Sequence, residues 1–369
     1  MALHINDYPK IGNKVLIVLS GLNRETKTEE GEWVYDKHQY HIADRFLQFK
    51  WSKSLIKQLL IYASSCDSKG RIKMLDEQAM AETMNVSLRT VQHNNYLMTE
   101  AGIIEWDRLF TDVIYLEFTQ YHYDILGLET EGHSDTADKS TGFTRLTQEN
   151  ILSLMQEEDV NAIRTTLRLF ALAESQFNGA SQSTEVHVYL RDVTNFLPAY
   201  VGYKKKIKEI LSKVTKYLPL HVIEGKEAVI NFLERKPFNK GVLSKAKDAL
   251  IYVLKKNTRA TAEYQLQEET YSFMDSFELF IERRTEQNLI AKREFKLMRD
   301  DAASLIASFG KVRLLKALDK VRDALNRYKI PKFRGTKDQV DLLYEEGYDL
   351  LRIFLQDPSK GLRYYATIE

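Results

Sequence analysis

The sequence predicts a mainly α protein with small β-hairpins, an α+β chain divided into several domains. Three observations predict it. At 369 residues, with 44% hydrophobic and 28% charged content, the chain can bury two or three modest cores and is too long for one. Apolar residues recur at helical spacing and give way, twice, to short β-prone runs. From residue 240 onward the pattern reads as helix alone. The expected division is an N-terminal extension over 1–50, a first domain over 51–126, a linker over 127–145, a second domain over 146–238 and a helical domain over 239–369.

Composition narrows the class. A lone cysteine, Cys66, excludes a disulfide framework and cannot by itself build a thiolate metal site, so a reducing, cytoplasmic setting is expected. No apolar run approaches the roughly 20 residues of a membrane span, so no membrane partner is expected. The start, MALHINDYPK, lacks the basic-then-apolar order of a signal peptide. Net charge is only +1, but it is unevenly spread. Residues 200–260 hold fifteen Lys/Arg against five Asp/Glu, and residues 300–337 hold ten against four. Residues 76–108 hold two against six. A basic block is an electrostatic footprint for nucleic acid or, equally, the solvated face of a helix.

The run VLIVLS, followed by NRETKTEEGE and WVYDKHQYHIADRFLQF, is compatible with a strand, a hairpin arm or an extension packed on the next domain. From Trp51 the pattern turns helical: SKSLIKQLLIYAS places Leu55, Leu59, Leu60 and Tyr62 at helical spacing, with Ser52 or Ser54 as cap. DSKG breaks it, RIKML reads as a short strand, and Asp76 caps a further helix.

Residues 80–104, MAETMNVSLRTVQHNNYLMTEAGII, then run helix, small-residue turn, capped helix and Gly before a β-branched pair. Ser87 is positioned as N-cap, its hydroxyl accepting from the exposed N–H groups of the next turn. At 100° per residue Val91 and Met98 share the inward line, while Arg89, Gln92, His93 and Tyr96 share the opposite face. Those four would meet base edges in a major groove: Arg can pair bidentately with guanine and Gln with adenine, while Ser87 or Thr90 holds a phosphate at the helix N-terminus. IIEWDR and VIYLEFT, joined by LFTD, suit a wing hairpin.

Helix, strand, helix, turn, helix, hairpin is the order of a winged helix-turn-helix domain. MAETMNVSLRTV followed by EAGII resembles the "LAEELGVS-R-TV…EAGLI" wording of bacterial winged helix-turn-helix proteins over about 25 residues. One position departs. The family usually places an apolar residue four after the valine, where this chain has Asn95, with Asn94 beside it. Either the helix is rotated, or a buried amide must be hydrogen-bonded to avoid a cost on the order of 1 to 3 kcal/mol.

GLETEGHSDTADKSTG reads as linker. The same grammar then returns: VNAIRTTLRLFALAESQF as a helix with Ile163, Leu167, Phe170 and Leu172 inward, EVHVYL as a strand, RDVTNFLP as a short helix, GYKKKIKEILSKVTKYL as a second helix, and HVIEGKEAVINFL as a hairpin turning at Glu-Gly. A second winged helix or a generic α+β module both fit. In its lysine-rich helix Ile207, Ile210, Leu211, Val214 and Leu218 form an apolar stripe, and Lys204, Lys205, Lys208, Lys213 and Lys216 belong to the charged side. Lysines lack a fork, so this face favours phosphate contact and salt-sensitive affinity over base choice.

In the tail, YSFMDSFELFIERR is expected to be core or a self-association surface. Leu314, Leu318, Val321, Leu325 and Tyr328 step at three-four spacing. The breaker IPKFRGTK precedes a last amphipathic helix, DQVDLLYEEGYDLLRIFL. The chain has no G-x-x-x-x-G-K-[ST] loop, C-x-x-C pair or H-E-x-x-H. His38 and His41 lack a third ligand nearby, and EVHVYL has one His where a rolling-circle nuclease needs two. The expectation is a non-enzyme without metal or cofactor.

Tandem winged helix-turn-helix domains with a helical tail resemble the replication initiators of bacterial plasmids and phages. That resemblance implies sequence-specific binding of double-stranded DNA at origin repeats, with the helical or the first winged-helix domain as the surface for a homodimer. A transcriptional repressor with the same domains and a protein-interaction adaptor remain the alternatives.

Overall fold

The computed structural model describes residues 3–21, 33–35, 38–40, 42–47, 49–127, 142–177, 185–189, 197, 201, 204–217, 220–224, 250–256, 262–282 and 292–327. Among these the protein is mainly helical with a few small antiparallel sheets. It divides into two units, Met1–Ile5 with Pro9–Thr261, and Asn6–Tyr8 with Ala262–Glu369.

In the first unit the N-terminal segment is core. Lys10–Gly12 (β1) pairs antiparallel with Phe143–Arg145 (β7), Ile11 opposite Thr144. Asn13–Ser20 (α1) follows directly, and all eight of its residues are buried. VLIVLS is therefore a helix. A run that is apolar all round satisfies its backbone internally and is covered on every side, here in part by Val160–Phe177 (α7). Two expectations change: residues 1–50 are not merely an extension, and residues 143–145 of the expected linker are strand; residues 128–141 lie outside the described residues. Trp33–Tyr35 (β2) and His38–Tyr40 (β3) form a small hairpin, and Asp44–Leu47 (α2) leads to the next segment.

Lys53–Ser65 (α3) starts at Ser52, whose hydroxyl accepts from Leu55 N–H. Leu55, Leu59, Leu60 and Tyr62 are buried as the spacing predicts. Arg71–Asp76 (β4) comes next, and Asp76 caps Glu77–Met84 (α4) by accepting from Ala79 N–H at 2.9 Å. The turn out of α4 uses Asn85 at φ 54°, the left-handed conformation that Asn tolerates better than most L-residues. Leu88–Glu100 (α5) is capped by Ser87, which accepts from Thr90 N–H. It ends at Gly102, φ +69°, where Ile103 N–H reaches back to Met98 O. Ile104–Phe110 (β5) and Val113–Phe118 (β6) make a hairpin, and the sheet order is β4-β6-β5.

Gln148–Gln156 (α6) opens with a capping box between Thr147 and Asn150. After α7 come Glu185–Tyr189 (β8), Lys204–Val214 (α8), Leu220–Glu224 (β9) and Leu250–Lys256 (β10), with sheet order β8-β10-β9. In both sheets the strand last in sequence is central. Among the described residues β9 pairs with β10, Tyr252 opposite Glu224; the second arm expected in HVIEGKEAVINFL lies outside them. One expectation is corrected. Residue 239 does not begin an all-helical domain, because LIYVLKK is a strand, as suits its β-branched and aromatic residues. RDVTNFLP is outside the described residues except for buried Leu197, and residues 225–249 are outside them altogether. A continuous core runs from Ile5 to Val214, so the domains expected over 51–126 and 146–238 are packed as one unit.

In the second unit, Ala262–Glu282 (α9), Lys292–Phe309 (α10) and Lys311–Arg327 (α11) pack on one another. Phe273, Met274 and Phe277 of α9 are buried with Ile306 and Leu314, whereas Tyr271 of the same stretch is exposed. Tyr8 N–H donates to Ala307 O at 2.8 Å, which joins the N-terminal tripeptide to these helices. IPKFRGTK and the last amphipathic helix lie outside the described residues.

Candidate nucleic-acid interface

On α5 the inward line is Val91 and Met98, both fully buried, and the opposite face is open. Ser87, Arg89, His93 and Tyr96 are exposed, whereas Thr90 and Gln92 are half-buried. The Ser87 hydroxyl is occupied as a cap and also pairs with Thr90 Oγ1 at 2.8 Å. Tyr96 donates its hydroxyl to Glu100, and that bond raises the phenol above its ordinary pKa. Glu100 thus places a carboxylate on the face that carries Arg89, in keeping with the acidic balance of residues 76–108.

The amide at position 95 is fully buried with both its oxygen and its nitrogen hydrogen-bonded, so of the two alternatives the buried one holds. Asn95 Oδ1 accepts from Gln58 Nε2 at 2.7 Å and from the Tyr62 hydroxyl. Asn95 Nδ2 donates to Glu77 Oε1 at 2.9 Å. Asn94, also buried, donates to Gln58 Oε1 at 3.0 Å. Burial pushes the Tyr62 hydroxyl far above its ordinary pKa, so it stays a donor. Glu77 is 0% exposed, and its second oxygen, Oε2, accepts from Arg108 Nη2 of β5 at 3.1 Å. A buried carboxylate costs several kcal/mol unless paired and hydrogen-bonded, and here both oxygens are engaged. Arg108 also donates to Thr111 O and lies over the Trp106 ring, 5.6 Å from its centroid. Its guanidinium is thus held against its own hairpin. The sequence had one sign of this network, Asn95 in an apolar place; Glu77 and Arg108 gave none, since both read as surface charge.

On α8 the stripe Ile207, Ile210, Leu211 and Val214 is buried; Leu218 lies outside the described residues. Lys205, Lys208 and Lys216 are exposed, while of Lys204 only the helical backbone is described. Lys213 is placed differently from the expectation. Its ammonium pairs with Asp159 at 2.8 Å, which raises the lysine above its ordinary pKa. Lys205, Lys206 and Lys208 of α8 and Lys216 in the turn after it are therefore its exposed basic residues, Lys206 lying against Glu209. The residues expected to touch DNA are gathered into two sets, one on α5 and one on α8.

Between the segments that carry them lies α6. Ile151, Leu154 and Met155 are fully buried. Lys57 of α3, also buried, donates to Met155 O at 2.5 Å, near the carbonyl end of α6 where a cation is favoured; desolvation holds its pKa below the ordinary value. Gln156 donates to Thr83 O of α4. On the other side Asn150 donates to Tyr217 O, and the Tyr217 hydroxyl donates to Glu157.

Among the described residues no helix is long and apolar enough to cross a membrane, and no group of three or more His, Cys, Asp or Glu is placed to hold a metal ion. Comparison with protein-family models, with curated proteins and with solved structures finds no match.

Proposed function

We propose that this protein binds double-stranded DNA through two winged helix-turn-helix modules, residues 51–126 and a second built from α7, β8, α8, β9 and β10. We further propose that it acts as a plasmid or phage replication initiator recognising origin repeats. The observation that carries the DNA-binding proposal is the repeated sheet order, β4-β6-β5 and β8-β10-β9. In each case the helix before the last two strands of the sheet, α5 or α8, turns a polar face outward. In a winged helix that helix is the one laid in the major groove. The initiator role is supported by the tandem order with a helical tail, beside the winged helix-turn-helix resemblance carried by MAETMNVSLRTV and EAGII.

The two helices divide the work. Arg89, Gln92 and His93 offer forked or directional groups suited to base edges. Lys205, Lys208 and Lys216 offer point charges suited to phosphates. The test is binding to random-sequence duplex across a salt series, followed by selection of bound fragments from the host genome and resident plasmids. Binding that weakens with salt, with recovered fragments carrying repeats beside an origin, supports the proposal. Absence of binding, or affinity indifferent to salt, overturns it in favour of an adaptor. Recovery of single operators upstream of divergent genes replaces initiation by repression.

A further inference from the structure

We propose that Glu77 is a positioning residue for base reading: through its buried carboxylate the angular setting of α5 and the seat of the β5–β6 hairpin are fixed together. The proposal rests on α5 being a DNA-reading helix. Glu77 stands at the first position of α4 and touches three elements. Its backbone N–H donates to Asp112 O in the hairpin turn at 2.8 Å. Its side chain takes one bond from Asn95 of α5 and one from Arg108 of β5. On the far side of Asn95, Gln58 and Tyr62 of α3 close the network.

Apolar packing gives α5 a seat through Val91 and Met98, but hydrophobic attraction is non-directional and does not by itself select one angular setting. Hydrogen bonds are not indifferent: they weaken steeply as donor and acceptor fall out of line. Asn94 and Asn95, adjacent and therefore 100° apart on the helix, both bond to Gln58 of α3, and Asn95 bonds also to Glu77 of α4, so rotation of α5 strains bonds to two neighbouring helices. Rotation of α5 by even a fraction of a turn would move Arg89 and Gln92 off a base edge. The wing belongs to the same lock, since Arg108 shares the carboxylate with Asn95.

The experiment is a double-mutant cycle between Asn95→Leu and Arg108→Met in the full chain, with Glu77→Gln as a third variant. Two readouts are taken: base-by-base preference from selected duplex fragments, and hydrogen exchange of the free protein. The expected result is a preference for the best site over single-base variants that falls at least about tenfold in each variant. Binding to random duplex should be held within about twofold, and the double variant should be no worse than the worse single one. In the free protein, Glu77→Gln should raise exchange in both α5 and the β5–β6 turn while leaving α3 protected. An unchanged base profile, additive effects, or exchange confined to α4 overturns the proposal. A uniform loss across all duplexes also overturns it, because that is the signature of a merely structural role. If the wild-type chain binds no duplex, the DNA-reading proposal fails and base positioning falls with it, while exchange still decides whether Glu77 ties helix to hairpin.

Discussion

At the residue scale, what a side chain can offer a partner depends on what already holds it. Arg89 is exposed on α5 and Gln92 beside it is half-buried, whereas Arg108, equally basic, is committed to Glu77. Replacing Arg89 or Gln92 with Ala should relax preference at one base pair by about 1–3 kcal/mol. Competition with single-base variants of the selected site measures this, and an unaltered profile for both variants would remove α5 from base reading. Cys66 gives a second prediction. Burial pushes its thiol up to about 12, so at pH 8 the thiolate fraction is on the order of one in ten thousand. A disulfide reagent should leave Cys66 unmodified in the native protein and react only after denaturant is added; rapid labelling under native conditions would contradict the buried placement.

At the element scale, α8 separates its lysines by exposure. Lys205 and Lys208 are exposed, whereas Lys213 is half-buried with its ammonium against Asp159. Replacing Lys205 and Lys208 together should weaken all duplexes and lower the salt slope by about 2, at nearly one unit for each phosphate contact. Lys213→Ala should leave the slope unchanged and reduce stability instead, which thermal unfolding at two salt concentrations distinguishes. The same pair has a pH signature. Burial alone would raise the Asp159 carboxyl, but Lys213 and the Asn161 N–H outweigh it and hold it below the ordinary carboxylate range. A group depressed in the folded state stabilises above its unfolded value, about 3.9, and that contribution fades as pH falls through the lower folded value. Below about pH 4 the wild type should therefore lose stability that Asp159→Asn never had; parallel unfolding curves for the two proteins down to pH 3 would count against the pair.

At the scale of the molecule, α6 makes two segments into one body. Its apolar face is fully buried and its ends bond to α3 and α4 on one side and to the turn after α8 on the other. Leu154→Ala should cost about 2–5 kcal/mol, as large-to-small core changes do. The loss should be felt on both sides: hydrogen exchange should rise in α3 and in α8 alike, whereas protection lost in only one of them would show two independent folding units. Much of this body is legible in the sequence, because caps and periodicity are local. Ser52, Asp76 and Ser87 announce the starts of α3, α4 and α5, and Ile207, Ile210, Leu211 and Val214 announce the buried side of α8. The face of α5 that carries Arg89, His93 and Tyr96 is legible for the same reason, since 100° per residue fixes what lies opposite Val91 and Met98.

Other features depend on partners distant in the chain. VLIVLS is apolar enough for a strand or a helix, and only its burial against α7, some 140 residues on, decides for the helix. LIYVLKK is a strand because β8 and β9 leave a place between them, which no window around residues 250–256 contains. Glu77 and Lys213 read as solvated charges until Asn95, Arg108 and Asp159 are brought against them. Where most helices start and which of their faces are apolar can be read along the chain, since both follow from neighbours within two turns. Tertiary structure decided strand partners, the fate of individual charges and the union of two segments into one core, because each depends on contacts whose members the chain separates by tens of residues.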